Sequence, residues 1–148
     1  MPISINGAMM RQIIMDHYEH PRNKREPSDL TGYIKIHMDS ASCIDDIYVY
    51  LKEENDKIVD VCFNGIACTI ATASTSIMTE LVMGKSKEEA YYIIEQYQKM
   101  ISEQEFDDEV LDEAIVFINT SKQASRIKCA TIGWRGLKNL LDGKEVEE

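Results

Sequence analysis

The 148-residue chain has no long apolar run. Nothing in it approaches the ~20 apolar residues that a helix needs to cross a bilayer. Met1 to Met10 lacks the apolar stretch of a secretory leader, so the protein is expected in the cytoplasm. Positive charge is scarce: 16 Lys and Arg stand against 26 Asp and Glu, a formal net charge of −10. That balance argues against nucleic acid or an anionic membrane surface as a partner. No Cys-x-x-Cys pair occurs, so no ready-made thiol pair announces a zinc ribbon or a redox motif. Internal repeats and low-complexity segments are also missing. The charges are interspersed among apolar residues, which argues against disorder, and the length predicts one domain over 1–148 with a buried core.

What the chain does have is a changing hydrophobic period. Residues 8–20 read as a helix, with Met9 or Met10, Ile13, Ile14 and His17 at helical spacing and Pro21 forcing an end near His20. A basic loop bracketed by Pro21 and Pro27 follows. Strands are predicted over Tyr33–Met38, Ile47–Lys52 and Lys57–Phe63, with Val59, Val61 and Phe63 on the core face. Glu53-Glu54-Asn55-Asp56 reads as the turn of an antiparallel hairpin. The period then becomes 3.6. Ile70, Ala73, Ile77, Leu81 and Val82 predict a helical stripe that stops at Gly84. Ser86-Lys87-Glu88-Glu89 is a capping box for a helix with Ala90, Ile93, Ile94, Tyr97 and Ile101 inward. A short helix is predicted around Leu111–Ile118 and a last one from Ser125 to Leu141, ending at Gly143. The fold class is α+β: a small antiparallel three-stranded sheet with helices packed on one face.

Four cysteines in a reducing compartment point to metal or catalysis before disulfides. Cys43 and Asp45 sit two apart just before a strand, where alternate side chains share a side. Cys68 falls at a strand-to-helix junction, where helix amides and dipole favour a thiolate. Cys129 lies early in the last helix, at the edge of its apolar stripe, beside Arg126 and Lys128, whose charge is expected to favour its thiolate as well. Three soft sulfurs and one carboxylate suit a tetrahedral zinc site or an iron–sulfur cluster site. Taken singly, each cysteine also fits an inert buried residue, and spacing does not decide between the two. Cys62 falls opposite the predicted core face and reads as a small filler. His17 and His20 read as packing or solvated residues, His37 as a surface residue, and Asp107-Asp108 and Glu147-Glu148 as solvated charge.

Three motifs in order resemble the U-type (NifU/IscU) iron–sulfur cluster assembly family: Ile14-Met15-Asp16-His17-Tyr18 with Pro21-Arg22-Asn23-Lys24, then Gly65 to Ser74, then Arg126 to Thr131. The resemblance runs from about residue 9 to 141. Within the family the chain looks closest to the SufU branch, because the interval from Cys68 to Cys129 matches the longer spacer there. Basic residues also stand near Cys129 where IscU-type scaffolds carry a histidine. The resemblance implies the SufE/NifU-like fold and zinc held by Cys43, Asp45, Cys68 and Cys129. It implies sulfur taken from a cysteine desulfurase of the SufS type, with Cys43 freed from the zinc by a histidine of the desulfurase and acting as nucleophile. The sulfur then passes to downstream iron–sulfur assembly proteins. Two alternatives stay open: a scaffold on which an iron–sulfur cluster is assembled by the same residues, and a degenerate structural zinc-binding relative.

The chain departs from the family at three points. The family's Asn-Pro-x-Cys-Gly-Asp reads Ser40-Ala41-Ser42-Cys43-Ile44-Asp45, an arginine after the aspartate is Asp46, and a Phe-Pro before the last cysteine is Gln123-Ala124. Ile44 is β-branched and resists positive φ, so a loop needing that conformation is expected to be distorted there.

Overall fold

The structure, a computed structural model, describes residues 6–40 and 43–143. Asn6 caps helix α1 (Gly7–Glu19) by accepting the Met9 amide at 2.9 Å. The helix ends where Pro21 disfavours helical geometry in the residue before it, and His20 stands at φ −131°. Strands β1 (Tyr33–Asp39), β2 (Asp46–Glu54) and β3 (Lys57–Ile66) then form an antiparallel sheet in that order. Asn55 and Asp56 join β2 to β3, both at positive φ (54° and 62°), as a two-residue primed hairpin turn requires. Helices α2 (Thr69–Val82), α3 (Lys87–Ile101) and α4 (Ala124–Leu141) follow. The predicted capping box of α3 is present in full.

Cross-strand partners share a face. Ile36, Val49 and Phe63 form one apolar row, and Ile34, Leu51 and Val61 the next. Helix α4 lies on this face. A Cβ on Gly136 would stand 3.0 Å from Met38 and 3.1 Å from Val49, so the missing side chain sets how closely the helix approaches. Trp134 stacks on Tyr97 of α3 with ring centroids 3.9 Å apart, closing the core between helices.

Four expectations need correction. Val59 is 44% exposed, not core. Lys52 pairs with Asp60 but Glu53 pairs with Ile58, so Val59 is an extra residue in a bulge. The bulge reverses the alternation and buries Ile58 instead. Helix α2 buries no mere stripe: every residue from Ala71 to Thr79 is buried, while Ile70 and Leu81 are only half-buried. Its small side chains admit neighbours closely, and the hydroxyls of Ser74, Ser76 and Thr79 find partners, whereas the buried Thr75 hydroxyl has none among the described residues and packs against Gly133. Ser74 Oγ accepts from Trp134 Nε1 at 2.9 Å and donates to the Ala130 carbonyl at 2.6 Å, and Thr79 Oγ1 accepts from Asn23 Nδ2 at 2.9 Å. The predicted helix around Leu111–Ile118 is a broken run of 3-10 turns over Asp108–Val110, Asp112–Phe117 and Thr120–Lys122, interrupted by Asp112 at φ 45°. Asp107 is more than solvated charge: it caps the first of these turns and accepts from Tyr92 Oη at 2.9 Å. Glu147-Glu148 and Ala41-Ser42 lie outside the described residues.

Candidate metal centre

The site is assembled from three element ends. On the approach to β2, Cys43 Sγ stands 3.0 Å from Asp45 Oδ2, as residues two apart in extended chain allow. Ile44 between them is not among the residues at positive φ. Its side chain turns outward, 64% exposed. The expected distortion is therefore avoided by an ordinary backbone that points the isoleucine at solvent.

Gly65 brings the second element in. Its φ is +126°, and a Cβ there would lie 2.4 Å from the Asp46 carbonyl oxygen. Only glycine lets the end of β3 run this close to the start of β2. The chain then turns through Ile66 and Ala67 to Cys68, the N-cap of α2, whose Sγ accepts the Ala71 amide at 3.4 Å. The Cys68 amide donates to Asp45 Oδ1 at 2.8 Å, and its thiol stands 3.9 Å from Oδ2. From α4, Cys129 Sγ lies 3.4 Å from Cys43 Sγ. The ligand atoms of Cys43, Asp45 and Cys129 all fall within 4.8 Å of one another, with Cys68 just outside that tightest group.

One carboxylate thus divides its work: one oxygen ties down the start of α2 and the other faces the thiols. Asp45 is 1% exposed and Cys129 is buried, while Cys43 and Cys68 are half-buried at the open side. Burial pushes the Asp45 carboxyl up, but the Cys68 amide and the three thiols outweigh it and hold the group below the usual carboxylate range. Burial, followed by its bonds to Asp45 and the other thiols, pushes the Cys129 thiol well up. Arg126 and Lys128 do not reverse this. Both are exposed, where their charge is screened, so the expected thiolate-favouring effect is not what the surroundings produce. In the metal-free protein Asp45 carries the charge and Cys129 keeps its proton. A divalent cation here displaces thiol protons and finds three sulfurs and an anionic oxygen, a donor set that fits zinc.

Cys62 lies on the sheet face away from the apolar rows, opposite Tyr50. The Pro21–Pro27 loop pairs with the free edge of β3, where Arg25 N donates to the Phe63 carbonyl and Phe63 N to that of Asn23, and the Arg25 side chain reaches over this face to Asp60 at 2.8 Å. Cys62 is fully buried, and that burial pushes its thiol up to about 11. His37 is half-buried, bonded to Asp46 at 2.6 Å and set against the Tyr48 ring. His17 is fully buried between Ser76 and Glu113. Its place in the apolar spacing of α1 signalled that it turns inward. No local pattern signalled its partners, which are 59 and 96 residues away.

Among the described residues no helix is long and apolar enough to cross a membrane. Residues 9–130 match the family described as NifU-like N terminal domain. The chain is 37% identical over 132 residues to the zinc-dependent sulfurtransferase SufU of Bacillus subtilis, covering 88% of each protein. It is 34% identical over 142 residues to the iron–sulfur cluster assembly scaffold protein IscU of Streptococcus pyogenes, covering 95% of this chain and 87% of that one. Among solved structures it resembles FiSufU of Fervidobacterium islandicum, a candidate scaffold protein for the SUF system. The TM-score is 0.80 and the identity 32%, over 88% of this chain and 94% of the other.

Proposed function

The chain belongs to the NifU-like N-terminal domain family, and from that premise we propose that it is an iron–sulfur cluster assembly protein that accepts sulfur from a cysteine desulfurase. Residues 1–148 act as one domain of this family, in the cytoplasm, with a desulfurase of the SufS type as donor and other iron–sulfur assembly proteins downstream. Cys43, Asp45, Cys68 and Cys129 hold a zinc ion. When bound, zinc keeps the thiols deprotonated at neutral pH and adds no redox chemistry of its own. The observation that carries the reading is the convergence of three thiols from separate elements on one buried carboxylate.

Cys43 is the nucleophile in this reading. It is half-buried, precedes a strand, and is followed by the 64% exposed Ile44. Its thiolate attacks the outer sulfur of the desulfurase persulfide. A sulfur–sulfur bond forms on Cys43 Sγ as the desulfurase's own sulfur–sulfur bond breaks, and the electron pair leaves on the desulfurase cysteine as thiolate. No net oxidation occurs, and the rate follows thiolate fraction and access. Asp45 stays in place through the Cys68 amide, so the site keeps its shape while Cys43 is away.

A desulfurase turnover assay tests this. Adding the zinc-loaded protein to a matched desulfurase should raise turnover, and Cys43→Ser should return it to the basal rate. Absence of stimulation at full zinc occupancy refutes the transfer reading. The likeness to the IscU scaffold of Streptococcus pyogenes favours a second reading, cluster assembly on the same four residues. Anaerobic reconstitution yielding a stable cluster chromophore would select it. The third reading, a structural zinc domain, loses the ground that a strained Ile44 would have given it.

A further inference from the structure

A second group of ligating side chains stands apart from the thiols. His17 of α1 is fully buried. Its Nε2 lies 2.8 Å from Glu113 Oε1 and 3.9 Å from Glu80 Oε1, and the three ligand atoms fall within 4.8 Å of one another. The residues come from α1, α2 and the 3-10 run, so tertiary packing and no local turn brings them together. Donor atoms bound to one ion at about 2.0–2.2 Å sit roughly 3.0–3.5 Å apart. The two observed distances bracket that range.

The far side of the ring is already held. His17 Nδ1 is 2.8 Å from Ser76 Oγ, which also accepts the Arg22 amide at 2.8 Å. A ligating histidine needs its second nitrogen fixed in this way, because that sets the ring plane and the tautomer. Without a cation, Nε2 faces Glu113 Oε1 and Nδ1 faces Ser76 Oγ, both at hydrogen-bond distance. With one, the ring proton sits on Nδ1 and donates to Ser76 Oγ, the hydroxyl turns back toward its own helix, and Nε2 offers its lone pair. Arg22 is the competing charge, with Nε 4.0 Å from Glu80 Oε2. Its guanidinium is engaged by Asp16 at 2.8 Å, however, and Glu80 Oε1 is left facing His17. Glu80 and Glu113 are half exposed and give access from solvent. Glu80 also lines an open cavity of about 720 Å³ whose walls include Glu88, Glu89, Glu109 and Asp112, with Lys85 the one basic residue lining it. Such a surface raises the local concentration of cations.

We propose that His17, Glu80 and Glu113 form a second divalent-metal site, with nitrogen–oxygen ligation, for an ion of the ferrous or zinc type. One imidazole with two carboxylates suits those ions better than calcium or magnesium, which favour oxygen alone. The site is independent of the sulfur-transfer reading.

The test uses the full chain loaded with one equivalent of zinc and titrated anaerobically with Co2+. A saturable second equivalent with weak visible bands and no sulfur-to-cobalt charge transfer is expected. Glu80→Gln with Glu113→Gln should weaken it at least about tenfold while the first equivalent of zinc stays and the circular dichroism is unchanged. Two results overturn the proposal: uptake seen only as a sulfur-to-cobalt band, which reports exchange at the thiols, or a second equivalent bound as tightly by the double variant.

Discussion

Replacing Asp45 with asparagine separates charge from shape at the thiol site. The carboxylate is 1% exposed, with Oδ1 accepting the Cys68 amide at 2.8 Å and Oδ2 3.0 Å from Cys43 Sγ. Asparagine keeps an oxygen for the Cys68 amide but turns an NH2 donor toward the thiols. A hydrogen bond to a charged group contributes about 1.5–3 kcal/mol, against about 1 kcal/mol for a neutral one. An anion at a helix N-terminus contributes a further 0.3–1 kcal/mol or so. The cost of burying the charge offsets part of this, so the metal-free variant should lose about 1–2 kcal/mol. In a domain of this size 1 kcal/mol moves Tm by about 2–4 °C. Thermal unfolding in chelator at pH 7 should therefore fall by about 2–8 °C.

The pH dependence supplies an independent check. Asp45 is held below its ordinary value in the fold. Its stabilisation is therefore fully present above the unfolded value of about 3.9 and is lost as pH falls through the lower folded value. The native protein should lose stability across that acid window, and Asp45→Asn, with nothing to titrate there, should lose less. Zinc affinity, read by competition with a chromophoric chelator, should drop at least about tenfold because a neutral amide replaces an anionic ligand. An unchanged Tm together with an unchanged acid slope would refute the view of Asp45 as an ionised anchor. Unchanged zinc affinity would remove it from the ligand set.

Gly65→Ala places a Cβ 2.4 Å from the Asp46 carbonyl at φ +126°. It should cost about 2–4 kcal/mol and weaken zinc binding in parallel, so a wild-type Tm would count against the close strand approach. Cys62→Ser buries a hydroxyl on the far sheet face and should cost about 1–3 kcal/mol with zinc per chain unchanged. Metal loss in that variant would mean the cysteine belongs to the site. Ile44→Gly should change zinc binding by no more than about 0.5 kcal/mol, because the isoleucine backbone is unstrained and its side chain is in solvent. Tenfold tighter binding would show that the isoleucine strains the loop.

Where local chemistry determines an element, the sequence reads correctly. The capping box at Ser86, the hairpin turn at Asn55-Asp56 and the stop imposed by Pro21 each rest on residues within one turn of each other. The errors arise where a distant neighbour decides. Strand parity at β3 holds from Val61 onward and fails at Val59, because a bulge is a property of two strands and leaves no mark in either alone. The apolar spacing of α2 shows one buried face. Ser74, Ser76 and Thr79 are also inside, because Trp134, Asn23, His17 and Arg22 arrive from other elements to satisfy them.

The same division runs through the two ligating groups, and α2 explains it. The thiol set is legible because Cys68 sits at a strand-to-helix junction, Cys43 and Asp45 share a side of an extended segment, and Cys129 lies early in the last helix. Each is a local statement, and family resemblance joins them. The second group has no such local statements: Ser76 and Glu80 lie two and three turns further along α2, facing residues from opposite ends of the chain. A helix buried from Ala71 to Thr79 cannot shift one end without moving the other. Cys68 at its cap and Glu80 near its end are thus held on one rigid rod, so displacement of α2 by a change at Gly65 should disturb both groups. Ile44→Gly, which acts on the loop alone, should leave both intact.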